Sequence, residues 1–128
     1  MTKAILLIDD DELVLQSLGL LLQGKGYRVE KARNGFEALE KAQTQEFGLV
    51  ISDIRMPGMD GIEVVQKLRE INAQQGRKAV PEILITAYAD ENAYLRALKL
   101  KVTDYFYKPF DIGQFLAAVE KRISERTA

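Results

Sequence analysis

The chain contains no cysteine and no histidine. The first absence rules out disulfides and thiolate metal sites. The second removes imidazole ligands, serine–histidine triads and any phosphohistidine within the chain itself. A metal bound here must be held by oxygen, which points to Mg²⁺, Mn²⁺ or Ca²⁺. An excess of charge of one sign is also lacking. Against 18 Lys and Arg stand 19 Asp and Glu, a net charge of -1, so there is no electrostatic footprint for DNA or RNA. No apolar run is long enough to cross a bilayer. The stretch that follows Met1-Thr2-Lys3 meets Asp9 too soon for a signal peptide, and the expected location is the cytoplasm.

What is present is the balance of a globular protein: 128 residues, 47% hydrophobic and 29% charged. That length fits one domain, 1–128, able to bury a continuous core without staples. Short apolar runs alternate with amphipathic stretches. Ile5 to Ile8 reads as a buried strand. Asp11 caps a helix with Val14, Leu18, Leu21 and Leu22 on one face, and Lys25-Gly26 stops it. Tyr27 to Lys31 alternates like a half-exposed edge strand. Asn34-Gly35 turns into a helix carrying Phe36, Leu39 and Ala42. Leu49 to Ile51 is a second buried strand, ending at Ser52-Asp53. A turn-rich loop, Arg55 to Gly61, leads to a helix with Ile62, Val65, Leu68 and Ile71 inward. Asn72 to Val80 is polar, contains Gly76 and reads as a loop. Ile83 to Ile85 is a third buried strand, ending at Thr86. A helix from about Asp90 carries Leu95 and Leu98. Tyr105 to Tyr107 is the last strand, and the final helix puts Ile112, Phe115, Leu116, Val119 and Ile123 on one stripe.

Five β-α units in strict alternation predict an α/β fold, a doubly wound parallel sheet with helices on both faces. The three most apolar strands belong in the centre and the polar second strand at an edge, which suits the flavodoxin-like order 2-1-3-4-5. In such sheets ligands bind beyond the carboxyl ends of the strands, between strands 1 and 3.

Polar residues stand at those ends. Asp9-Asp10 closes strand 1, Asp53 closes strand 3, Thr86 closes strand 4 and Lys108 follows strand 5. Three carboxylates in one cleft repel each other, and a divalent cation removes that cost. Mg²⁺ favours one or two carboxylates, retained waters and a phosphate oxygen. A carboxylate can act as a nucleophile and form an aspartyl phosphate, with a lysine and a hydroxyl binding the phosphoryl oxygens. Each residue alone has a plainer role. Asp10 and Asp11 suit a helix cap, Thr86 suits any strand, and Lys108 suits a solvated surface. The combination at the strand ends carries the argument.

The segments Ile8-Asp9-Asp10-Asp11, Ile51-Ser52-Asp53-Ile54-Arg55-Met56-Pro57-Gly58-Met59-Asp60-Gly61, Ile85-Thr86-Ala87 and Tyr107-Lys108-Pro109-Phe110 resemble the receiver domains of bacterial response regulators, in order and spacing, over essentially the whole chain. The resemblance implies that Asp53 is the phosphorylated residue. It implies that Asp9 and Asp10 organise Mg²⁺, Asp10 more directly, together with Asp53 and the backbone carbonyl of Arg55. Thr86 and Lys108 bind the phosphoryl group, the bond to Pro109 is cis, and Tyr105 is a switch aromatic that turns inward from solvent. The output surface is the face of the fourth helix, fifth strand and fifth helix.

The resemblance also implies the partners. They are a sensor histidine kinase or histidine phosphotransfer protein as donor in trans, an output partner on that face, and a homodimer formed on phosphorylation. There are departures. Lys101-Val102-Thr103 stands where the family often has Gly-Ala, and the loop from Asn72 looks long. Arg55 and Tyr88 are large residues expected at the mouth of the site, where they would slow hydrolysis. With no DNA-binding or enzymatic module after the last helix, the chain is expected to be a stand-alone regulator or a piece of a longer one. Such a protein catalyses only its own phosphorylation and dephosphorylation. The rivals are an aspartyl-phosphate phosphatase, opposed by Arg55 where a second Asp is common two residues after the first, and a pseudo-receiver that binds partners without phosphorylation. A flavin carrier is opposed by the lack of a Ser/Thr/Gly-rich loop after strand 1.

Overall fold

The computed structural model of the chain describes residues 3–87 and 89–127. Its elements run β1 (Ala4–Ile8), α1 (Glu12–Gly24), β2 (Val29–Ala32), α2 (Gly35–Thr44), β3 (Phe47–Asp53), α3 (Gly61–Gln74), β4 (Glu82–Thr86), α4 (Glu91–Leu100), β5 (Asp104–Tyr107) and α5 (Ile112–Thr127). The strands form one parallel sheet in the order β2-β1-β3-β4-β5. The apolar β1, β3 and β4 are central, and the polar β2 lies at an edge, as the hydrophobicity of the runs requires. No helix among the described residues is long and apolar enough to cross a membrane.

Alternation along the strands divides the core. Ile5, Leu7, Leu49, Ile51, Ile83 and Ile85 face one way, against Leu15, Leu18 and Leu22 of α1 and Phe115 and Val119 of α5. Ala4, Leu6, Ile8 and Val50 face the other way, against Ala38 and Ala42 of α2 and Val64, Leu68 and Ile71 of α3. Leu84 joins Ile54, Ile62 and Val65 under Ala93 and Ala97 of α4.

Local chemistry starts each helix. The Asp11 carboxylate accepts from Leu13 N–H at 2.9 Å, and the Asn34 side chain from Glu37 N–H at 2.9 Å. Asp60 and Glu63 form a reciprocal capping box, which satisfies two otherwise unpaired donors. Asp90 caps α4. The Lys101-Val102-Thr103 departure also has a local solution. Lys101 adopts the left-handed conformation (φ 57°) that glycine more often supplies at a helix end. The Thr103 hydroxyl then accepts from Glu82 N–H at 2.7 Å and binds the turn to the start of β4.

Four expectations are corrected. α3 continues through Asn72 to Gln74, because Ile71 still packs inward and Gln75 supplies the cap. Arg77 then reaches back to the carbonyls of Ala42 and Gln45, at 2.6 and 3.2 Å, so the polar segment closes the end of α2. Phe36 lies outside the core, 61% exposed, because Ala38 and Ala42 allow α2 a closer approach than a phenyl ring would. In α1 the buried row is Leu15, Leu18, Gly19 and Leu22, with Val14 and Leu21 only partly covered. Ile112 is exposed at the start of α5 rather than on its inward stripe.

Phe115 is fully buried among Phe106 and Phe110, with ring centroids 5.9 and 5.0 Å away. Phe115→Ala should cost about 3–5 kcal/mol, whereas Phe36→Ala should cost about 0.5 kcal/mol or less. Urea denaturation checks both, and equal losses would contradict the burial assignment.

Candidate functional site

The order of the sheet brings the carboxyl ends of β1 and β3 side by side. The last paired residues are Ile8 and Ser52, so Asp9 and Asp53 leave adjacent strands at the same level. One carboxylate oxygen from each of Asp9, Asp10 and Asp53 lies within 4.8 Å of the others. Asp9 and Asp53 are buried and Asp10 is exposed. Lys108 follows β5 and reaches across the sheet end, with its Nζ 3.3 Å from Asp9 Oδ2 and 3.9 Å from Asp53 Oδ2. Its backbone N–H donates to the Thr86 carbonyl at 2.7 Å, and the peptide bond to Pro109 is cis. Thr86 is buried at the end of β4.

Each acid is held by its own neighbours. Asp9 Oδ1 accepts from Asp11 N–H at 2.9 Å, which orients it across the start of α1. Asp53 Oδ1 accepts from Ile54 N–H at 2.9 Å, leaving Oδ2 on the side of Lys108. At the start of α3, a Cβ on Gly61 would collide with the Asp53 carbonyl oxygen. Only glycine lets that helix begin so close to the strand end.

The electrostatics are unbalanced. Burial, followed by the charge of Asp9, pushes the Asp53 carboxyl up to about 6, against the opposing pull of Lys108 and the Ile54 N–H. Burial also raises Asp9, opposed by the Asp11 N–H and by Lys108. One ammonium does not offset three neighbouring carboxylates, so the cluster favours a further positive charge. An all-oxygen set of two buried acids and one exposed acid fits a hard divalent cation that keeps part of its water shell.

Of the remaining expected residues, Arg55 is exposed beside an open depression that it lines with Asp90, Asn92 and Leu95. Tyr88 lies outside the described residues. Tyr105 differs from its expected starting position in solvent: its hydroxyl is buried, with no hydrogen-bond partner among the described residues. The ring meets Tyr94 and Tyr107 edge-on at 5.2 and 5.3 Å and packs on the cluster of Leu84, Ala93 and Ala97. Burial pushes its phenol up to about 12.

Sequence reasoning missed two contacts. Arg96 Nη1 donates to Asp60 Oδ2 at 3.0 Å and ties α4 to the loop after Asp53, a pairing for which no local pattern exists. The Ser52 hydroxyl donates to the Asp53 carbonyl at 2.9 Å. Its signal was a lone hydroxyl in an otherwise apolar strand.

Residues 5–120 match the family model described as the response regulator receiver domain. The chain is 38% identical over 120 residues to the transcriptional regulatory protein ZraR of Klebsiella oxytoca, covering 94% of this chain and 26% of that protein. It is 37% identical over 120 residues to the alkaline phosphatase synthesis transcriptional regulatory protein PhoP of Bacillus subtilis, covering 94% and 48%. The chain therefore spans about a quarter to a half of the length of these relatives. Among solved structures, a CheY-like receiver domain protein from Methanospirillum hungatei superposes with a TM-score of 0.88 at 28% identity, covering 99% of this chain and 98% of that one. The non-phosphorylated HemR receiver domain from Leptospira biflexa superposes at 0.81 and 31% identity, covering 96% and 95%.

The raised Asp53 carboxyl fixes the sign of a pH effect. Its folded value, about 6, lies above the ordinary 3.8. Its contribution to stability is therefore complete below the ordinary value and is lost as pH rises through about 6. A cation competes with that proton. Added Mg²⁺ should raise the melting temperature more at pH 8 than at pH 5 in calorimetry, and an equal gain at both would contradict the electrostatic account.

Proposed function

We propose that this chain, which belongs to the family of response regulator receiver domains, accepts a phosphoryl group on Asp53 and converts it into a change of its α4–β5–α5 face. A receiver domain is a phosphorylation switch of two-component signalling, not an enzyme that turns over a separate substrate. The observation that carries the assignment to Asp53 is its position. Asp9 and Asp53 both turn Oδ2 to Lys108, but Asp53 ends the central strand β3, between Asp9 beyond β1 and Thr86 at the end of β4.

Asp53 Oδ2 is the nucleophile in this reading. It attacks phosphorus in line with the leaving group, the new O–P bond forms, and the P–N bond to the donor imidazole breaks. The imidazole nitrogen leaves with the bonding pair and takes a proton from solvent. Asp9, Asp10, Asp53 and the Arg55 carbonyl would hold Mg²⁺, which supplies positive charge to the phosphoryl oxygens when bound. Lys108 already reaches Asp9 and Asp53, and its ammonium pairs with the charge that arrives. The Thr86 hydroxyl contributes a further hydrogen bond. The donor phosphohistidine lies outside these 128 residues, which contain no histidine. A sensor histidine kinase or histidine phosphotransfer protein supplies that chemistry.

The modification adds about -1.5 to -2 charge in a confined cleft. Lys108 and Thr86 respond to it, and Tyr105, packed between β5 and α4, carries the response outward as a shift between existing arrangements. Tyr94, Leu95, Leu98 and Tyr107 are exposed on that face and form the surface for an output partner or for a second copy of the phosphorylated chain. Moving such an equilibrium from 1:99 to 99:1 takes about 5.5 kcal/mol of differential stabilisation, within reach of a charge-assisted pair only where water is partly excluded.

Incubation with acetyl phosphate and Mg²⁺ should add one phosphoryl group to the wild-type chain and none to Asp53→Asn, read by intact mass and peptide mapping. An adduct on Asp53→Asn, mapped to another aspartate, would overturn the assignment.

A further inference from the structure

β3 is apolar from Leu49 to Ile51 and then changes at Ser52, which is fully buried. A buried hydroxyl costs free energy unless it finds a partner, and one in a central strand gives up the packing of a branched apolar side chain. The hydroxyl here donates to the carbonyl oxygen of the next residue, Asp53, at 2.9 Å. That carbonyl lies past the last paired residues of the β1–β3 ladder, Ile8 and Ser52. Two groups therefore define its position. The Ser52 hydroxyl bonds to it, and Gly61 packs so closely on it that a Cβ would collide. The next peptide is fixed too, because Ile54 N–H donates both to Asp53 Oδ1 and to the Ile85 carbonyl, at 2.9 and 3.0 Å.

We infer that Ser52 is a positioning residue for phosphoryl acceptance, acting through the main chain of Asp53. The hydroxyl fixes the orientation of the peptide that joins Asp53 to Ile54. That peptide carries the N–H that holds Oδ1 and so aims Oδ2 at the incoming phosphorus. In-line attack tolerates little misalignment of the nucleophile, so a rotated peptide lowers the rate even with every side chain of the site intact. Fully buried and bonded to that carbonyl, Ser52 acts through Asp53 rather than on donor or metal itself. The inference rests on Asp53 being the phosphoacceptor.

The test compares Ser52→Thr with Ser52→Val, which have nearly the same volume and differ in the hydroxyl, alongside Ser52→Ala. Each is labelled with acetyl phosphate at saturating Mg²⁺, well below its melting temperature, and the Ile54 amide is followed by NMR in the absence of donor. Ser52→Thr should label about five-fold faster than Ser52→Val, the factor that one hydrogen bond of about 1 kcal/mol makes to a rate. Ser52→Ala should also fall about five-fold below wild type. The Ile54 amide should keep its wild-type shift and slow hydrogen exchange in the threonine variant and lose both in the valine and alanine variants. Equal labelling rates for threonine and valine, or an unchanged Ile54 amide in valine, would overturn the inference. If the wild type takes no label on Asp53, the phosphoacceptor reading fails instead, while the Ile54 amide still reports whether the hydroxyl orders that peptide.

Discussion

Three carboxylates share one end of the sheet with a single ammonium, and the rest of the molecule serves that unfavourable grouping. The strands β1 and β3 must be neighbours for Asp9 and Asp53 to meet, and both are buried on two faces. The same burial that builds the core takes Asp53 out of water and raises its carboxyl to about 6. Lys108 crosses from β5 to offset part of the repulsion, at 3.3 Å from Asp9 and 3.9 Å from Asp53. The remaining imbalance favours a bound cation, which the three acids are placed to hold, and through it would favour the phosphoryl group of the proposed reaction. A cluster that satisfied its own charges would have little reason to bind either.

The response to that site depends on how loosely α4 is held. α1 and α5 bury leucine, valine and phenylalanine side chains against the sheet, whereas α4 buries only Ala93 and Ala97. Apolar burial scales with area, so α4 contributes the least of these three to its own docking. It is held in addition by the Arg96–Asp60 pair at 3.0 Å and by the edge-on contact of Tyr94 with Tyr105. The ion pair is worth about 1 kcal/mol or less and the ring contact about 0.5–1.5 kcal/mol. Contributions this small would let a change of charge at the adjacent strand ends move α4, as the proposed switch requires.

Much of this was legible from residue order alone. The alternation of apolar runs with amphipathic stretches dictates the parallel sheet, and the polarity of Val29–Ala32 marks it as an edge. Asp9, Asp10, Asp53, Thr86 and Lys108 stand out because each follows or ends a strand. The errors came where a small residue outranked a large one and where a polar stretch continued a helix. Phe36 looked like a core residue, yet Ala38 and Ala42 make the contact, because close helix–sheet approach rewards small side chains. Asn72 to Gln74 looked like loop, yet the helix continues until Ile71 is covered. Arg96–Asp60 and Arg77 with the end of α2 were invisible, and Ser52 with the Asp53 carbonyl left a lone hydroxyl as its only signal. The first two join residues more than thirty positions apart, and the third is a matter of a hydroxyl rotamer.

The central claim is that Asp53 carries the electrostatic strain of the cluster. The direct measurement is the ¹³C chemical shift of the Asp53 carboxyl across a pH titration of the metal-free protein, repeated with saturating Mg²⁺. The account predicts a midpoint near 6 without metal and a clear downward displacement when Mg²⁺ is present. A metal-free midpoint near the ordinary 3.8, unmoved by Mg²⁺, would contradict it.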